Sequence, residues 1–107
     1  MTHNKDKDDA LLYIRSRLDT GELLCQLAEE CAELGKAALK LRRTYNSKNP
    51  TPVTRSQAAQ NLAEEIADVT LIFETLRLDP SEQAYETIRE LKAARWASRL
   101  KEAEGSK

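Results

Sequence analysis

Two segments of this chain carry nearly the same nine residues, and both are built around carboxylates. Residues 26–34 read QLAEECAEL and residues 61–69 read NLAEEIADV. Leu, Ala, Glu, Glu and Ala recur at matching places, and the other pairs are conservative: Gln26 with Asn61, Cys31 with Ile66, Glu33 with Asp68, Leu34 with Val69. On a helix turning about 100° per residue, with Leu27 at zero, Leu34 falls at about 340°, Glu30 at about 300° and Glu33 at about 240°. The same count from Leu62 puts Glu65 at about 300° and Asp68 at about 240°. Glu30 and Glu65 therefore border the apolar side of their helices. Glu33 and Asp68 follow on the same edge at the i, i+3 spacing that makes neighbours. Two such edges facing each other gather Glu30, Glu33, Glu65 and Asp68 into one pocket.

Clustered carboxylates repel one another, and in a partly dry pocket they take up protons unless a cation sits among them. Ligands that are all oxygen suit a hard divalent ion, Mg²⁺ first and Mn²⁺ second. Held this way with positions left open, such an ion serves a phosphate-bearing substrate. The rest of the sequence narrows the choice further. His3 is the only histidine and lies in a polar stretch, which leaves no Ser-His-Asp triad, no Cys-His pair and no His-rich zinc site. Cys25 and Cys31 stand six residues apart on different faces of one helix and read as reduced thiols. Any catalysis must rest on carboxylates.

A phosphate tail also needs cations and polar contacts. Lys92, Arg95 and Arg99 rise along one helical line and can reach it. Lys36 is a further candidate, and Gln26 and Asn61, each at about 260° on its wheel, can orient the acids or touch the substrate. Lys36 and Lys40 are also placed to pair with Glu29 and Glu33 respectively. Trp96 and Tyr85 read as core or interface residues.

These residues need helices to hold them. Gly occurs three times and Pro three times, leaving long stretches of Ala, Leu, Glu, Lys and Arg, with nothing resembling an alternating strand. Helices are expected at about 8–18, 20–45, 54–78 and 80–103. Asp19 with Glu22 and Thr54 with Gln57 are capping boxes, and Asp79-Pro80-Ser81-Glu82 is a start signal. NSKNPTPVT is the loop between the two long helices. The expected apolar stripes are Leu23, Leu24, Leu27, Cys31, Leu34, Ala38 and Leu41, then Ala58, Leu62, Ile66, Val69, Phe73 and Leu76. The fold class is all-α: a four-helix bundle in one domain, 1–107, whose two long helices run antiparallel and carry the acids, with 1–7 and 104–107 as frayed tails.

The chain has 107 residues, with 17 basic and 18 acidic side chains and a formal net charge of -1. That balance speaks against nucleic-acid binding. No apolar run reaches the roughly 20 residues of a membrane span. The opening MTHNKDKDDA lacks an apolar signal core, so a cytoplasmic setting is expected.

With Glu29-Glu30-Cys31-Ala32-Glu33 followed by Glu65-Ile66-Ala67-Asp68, the chain resembles the MazG-like all-α nucleoside triphosphate pyrophosphohydrolases, whose signature is EExxE and then ExxD. The likeness covers Leu23 to Leu100, including the closing segment KAARWASRL. It departs in the 31 residues between Glu33 and Glu65, more than compact members have, and NSKNPTPVT accounts for the excess. The resemblance implies hydrolysis of a (deoxy)nucleoside triphosphate to monophosphate and pyrophosphate. It makes Glu30, Glu33, Glu65 and Asp68 the Mg²⁺ ligands and Glu29 either an acid behind them or the group that orients the attacking water. It also implies a homodimer or dimer of dimers. Surplus apolar residues on the two long helices point to self-association as well. A phosphoribosyl-ATP pyrophosphohydrolase-like enzyme and a non-catalytic helical interaction module are the alternatives.

Overall fold

The computed structural model describes residues 2–76 and 82–105, with side chains from residue 5 onward and from 83 in the second segment. Four helices run through them: α1 (Thr2–Arg17), α2 (Thr20–Arg43), α3 (Arg55–Leu76) and α4 (Glu82–Gly105). All four were expected, and no strand occurs among the described residues. The first begins earlier than its apolar residues suggested. The polar stretch from Thr2 to Lys7, expected as a frayed tail, is helical, and Lys7 Nζ meets Glu74 Oε2 of α3 at 3.1 Å. At the other end Glu104 and Gly105 still belong to α4, while 106–107 lie outside the described residues. The start signal at Asp79-Pro80-Ser81 lies outside them too.

The chain divides into two compact units, 1–76 and 77–107. In the first, α2 packs along α3, and α1 touches α3 more lightly. Local chemistry fixes each boundary. Asp19 accepts from the Glu22 backbone N–H at 2.8 Å, and Glu22 accepts in return from the Asp19 N–H at 3.4 Å. This capping box starts α2 and contributes about 1 kcal/mol. Thr54 Oγ1 accepts from the Gln57 N–H at 3.1 Å and opens α3.

The loop between them is tied down at its ends. Asn46 takes a left-handed conformation (φ 51°), which asparagine tolerates. Arg55, the first residue of α3, lies 3.8 Å from the Tyr45 ring centroid and donates to the Thr44 carbonyl at 2.9 Å. That clamp returns α3 onto the end of α2. Arg15 ties α1 to the end of α3, donating to the carbonyls of Thr75 at 2.9 Å and Glu74 at 3.0 Å. A cation on the last carbonyls of a helix also complements its dipole.

Burial shows which residues form the interface. On α2 the protected positions are Leu23, Leu27, Glu30, Leu34, Ala37, Leu41 and Arg43; on α3 they are Ala58, Asn61, Leu62, Glu65, Val69, Ile72, Phe73, Thr75 and Leu76. Within them, Leu23 to Leu41 and the set Ala58, Leu62, Glu65, Val69, Ile72 and Leu76 advance by alternating fours and threes, the spacing of closely paired helices. Most of the expected stripes hold: Leu23, Leu27, Leu34 and Leu41 on α2 and Ala58, Leu62, Val69, Phe73 and Leu76 on α3 are protected. Leu24, Cys31, Ala38 and Ile66 are exposed, and Glu30 and Glu65 occupy places in the line.

The second unit consists of α4 with its flanking residues. Tyr85, Ile88, Leu91, Trp96 and Leu100 are all exposed on it. No helix among the described residues is long and apolar enough to cross a membrane.

Candidate functional site

The two acids drawn into the α2–α3 interface come together. Glu30, Glu65 and Asp68 each offer a carboxylate oxygen, and the three oxygens lie within 4.8 Å of one another. Glu30 and Glu65 are half-buried and Asp68 is exposed. The helix period explains the convergence: Glu65 and Asp68 are one turn apart on α3, and Glu30 faces them from α2.

This arrangement has a cost, visible at Glu65. Its Oε2 is buried and lacks a hydrogen-bond partner. Burial, then the charges of Asp68, Glu30, Glu33 and Glu64, in that order, hold its carboxyl above the ordinary value of 4.5. A buried oxygen without a donor is an unfavourable feature in itself. Glu30 is supported better, since Gln26 Nε2 donates to its Oε1 at 3.0 Å.

The donor set fits a hard divalent ion. Around one Mg²⁺, oxygens at about 2.1 Å stand about 3.0 Å apart when adjacent and about 4.2 Å apart when opposite, so the three carboxylates would draw closer on binding an ion. The orphaned Glu65 Oε2 is the atom such an ion would satisfy.

Two cavities in the first unit adjoin the triad. One, of about 150 Å³, is lined by Glu33, Lys36, Ala37, Lys40, Ala58, Asn61, Glu64 and Glu65. Its lining contains Ala37 and Ala58, the latter only 1% exposed, whose small side chains leave room between the helices. The other, of about 320 Å³, is bounded by Ile14 and Leu18 at the end of α1, by Leu23, Gln26 and Glu30 of α2, and by Asp68, Leu71, Ile72 and Thr75 of α3. Glu65 lines the first cavity; Glu30 and Asp68 line the second.

The expected site residues distribute unevenly over this geometry. Glu33 lies outside the triad, exposed and paired with Lys36 at 3.5 Å, though near enough to act on the Glu65 carboxyl. The expected pairing of Lys36 with Glu29 is therefore replaced by one a turn away. Glu29 is exposed and lines neither cavity. Asn61 and Lys36 line the smaller cavity and Gln26 the larger. Lys92, Arg95 and Arg99 are exposed on α4, in the other unit. Lys40, expected only as an ion-pair partner, lines the smaller cavity beside Lys36. Its position one turn beyond Lys36 was the signal for it.

No protein-family model, curated protein or solved structure matches this chain. The functional reading therefore rests on the residues themselves.

Proposed function

We propose that this protein is a Mg²⁺-dependent hydrolase of (deoxy)nucleoside triphosphates, of the MazG-like all-α type, releasing monophosphate and pyrophosphate. The observation that carries the proposal is the buried, unpartnered Glu65 Oε2 within an all-carboxylate triad drawn from the two acidic repeats. Three carboxylates between packed helices cost stability when nothing neutralises them. They make sense where a bound cation is part of the working state.

In this reading α2 and α3 run antiparallel. The middle of each holds the triad, the end of α2 joins the start of α3 around Lys36 and Lys40, and the start of α2 joins the end of α3 around Leu23. Glu30, Glu65 and Asp68 hold the metal. With a metal bound, Glu33 would offer a fourth carboxylate in place of its exposed pair with Lys36, and that lysine would be left for phosphate. The metal, when bound, neutralises phosphate charge and favours ionisation of water. Gln26 keeps the Glu30 carboxylate oriented. Lys36, Lys40 and Asn61 bind the outer phosphates, as ammonium and amide donors suit phosphate oxygens. Glu29 is assigned the attacking water. Its attack on the α-phosphorus breaks the α–β anhydride bond, and pyrophosphate leaves toward the lysines.

The exposed apolar residues of α4 support self-association, as dimer or dimer of dimers. An isolated helix gains little stability without packing. A cytoplasmic setting goes with the same reading. The test is a panel of nucleoside triphosphates with Mg²⁺, scored for pyrophosphate. The phosphoribosyl-ATP-specific and non-catalytic alternatives would leave the panel unhydrolysed.

A further inference from the structure

We infer that the end of the α2–α3 hairpin is a surface for single-stranded nucleic acid, which it holds by the phosphates and by a base stacked on Tyr45. This surface stands apart from the hydrolase reading and does not depend on it. A net charge of -1 speaks against nucleic-acid binding only where the charge is evenly spread, and here it is not. Between Glu33 and Glu64 the chain has no acidic residue and six basic ones, Lys36, Lys40, Arg42, Arg43, Lys48 and Arg55. That stretch carries +6 and the rest of the chain -7. Lys36 and Lys40 line the smaller cavity; the other four gather where α2 turns into α3. Arg42 and Arg43 end α2, Lys48 is exposed in the loop, and Arg55 begins α3.

Their charge is not compensated from within. Among the described residues, no carboxylate pairs with Arg42, Arg43, Lys48 or Arg55. Arg42 donates to the Tyr45 carbonyl at 2.7 Å and Arg55 to the Thr44 carbonyl at 2.9 Å, so neutral acceptors fix both guanidinium groups and leave them cationic. The dipole of α2 favours cations in its last turn, but Lys48 lies beyond it. Like charges gathered in this way repel, and an anionic partner relieves them. Tyr45 decides which anion. Arg55 lies 3.8 Å from its ring centroid and fixes the ring, yet the residue is 46% exposed. A held aromatic ring among cations suits a single strand, whose bases stack on the ring while its phosphates meet the charges. A duplex keeps its bases stacked on one another, and an acidic polypeptide has none to stack. Lys48 also lies in NSKNPTPVT, the stretch in which the chain exceeds compact members of the family it resembles.

The test is fluorescence anisotropy of labelled oligothymidylate and oligouridylate, each of about 16 nucleotides, with the full chain in chelator. Chelator removes metal-mediated phosphate binding at the triad, and the two probes distinguish DNA from RNA. Four engaged cations give a slope of about -2.8 in log affinity against log salt, or about a fiftyfold loss between about 50 and 200 mM NaCl. Lys48→Ala, at an exposed loop position, should lower the magnitude of that slope by about 0.7. Tyr45→Leu should weaken binding about tenfold at an unchanged slope, while Tyr45→Phe binds like the native chain. Circular dichroism checks that each variant is folded. No binding of either strand at about 100 μM protein and about 50 mM NaCl would overturn the inference. So would poly-glutamate bound as tightly as the strands, or a folded Tyr45→Leu protein that binds as the native one does. Strand binding without triphosphate hydrolysis in Mg²⁺ leaves this surface standing and the hydrolase reading fallen; hydrolysis without strand binding does the reverse.

Discussion

Glu65 and Ile66 are neighbours in the chain with exchanged surroundings: the carboxylate is half-buried against α2, and the isoleucine is 47% exposed. An isolated fold would gain by the opposite arrangement. The acid in the interface is there at the expense of stability, a pattern expected of functional positions.

Replacing Glu65 by leucine should therefore raise the melting temperature in chelator, since it removes a repelled carboxylate and adds apolar surface to the interface. In the native protein millimolar MgCl₂ should stabilise more than NaCl at matched ionic strength, and the same change should abolish that excess. A Glu65→Leu protein that melts lower in chelator and still responds to Mg²⁺ would mean that the carboxylate is a packing residue.

Acidity acts on the same group. Burial first, then Asp68, Glu30, Glu33 and Glu64, raise the Glu65 carboxyl above 4.5, and unfolding releases it. Between the unfolded and folded values the native state holds more proton, so this contribution is present at low pH and fades as pH rises through the folded value. In chelator, the melting temperature of the native protein should fall relative to Glu65→Gln as pH climbs from about 4 to 7. The Mg²⁺-induced rise should grow over the same range, because the metal competes with the proton. Parallel curves for the two proteins would count against the electrostatic origin.

Much of this was legible in the repeat, and the part that was not has a definite cause. Glu-Glu-x-x-Glu and Glu-x-x-Asp identify the acids, and Asp19 and Thr54 mark two helix starts that the structure keeps. The exposure of Leu24, Cys31 and Ile66 was hidden because each is apolar and adjoins the protected line. Apolarity alone assigns them inward, while packing admits Glu30 and Glu65 instead. The pairing of Lys36 with Glu33 rather than Glu29 follows from spacing, since Glu33 is a helical neighbour three residues away and Glu29 lies about two turns away. The tie between Lys7 and Glu74 spans most of one unit, and local pattern does not reach that far.

Gln26 offers a milder perturbation than changing a ligand. Its amide is held 3.0 Å from Glu30 Oε1, so Gln26→Ala leaves the triad's charge intact and removes only the support. Mg²⁺ affinity should drop about tenfold to a hundredfold, as for other groups that orient a ligand, with the melting temperature in chelator little changed. Isothermal titration with MgCl₂ measures it. An unaltered affinity would detach Gln26 from the site.

Self-association is tested by mass. Trp96 is 62% exposed on α4, with Leu91 and Leu100 exposed along the same helix. Sedimentation equilibrium at micromolar concentration should give a multiple of 12.1 kDa, and Trp96→Lys should shift it toward the single-chain value. A single-chain mass at every concentration would contradict the dimer.

The most direct measurement is product analysis of native and Glu65→Gln protein on the four common ribo- and deoxyribonucleoside triphosphates, with Mg²⁺ and with chelator. The expected result is monophosphate and pyrophosphate from at least one substrate, only with Mg²⁺, falling by orders of magnitude in Glu65→Gln while the helical circular dichroism is unchanged. Release of orthophosphate and diphosphate, or near-native turnover by Glu65→Gln, would contradict the assignment of the triad to pyrophosphohydrolysis.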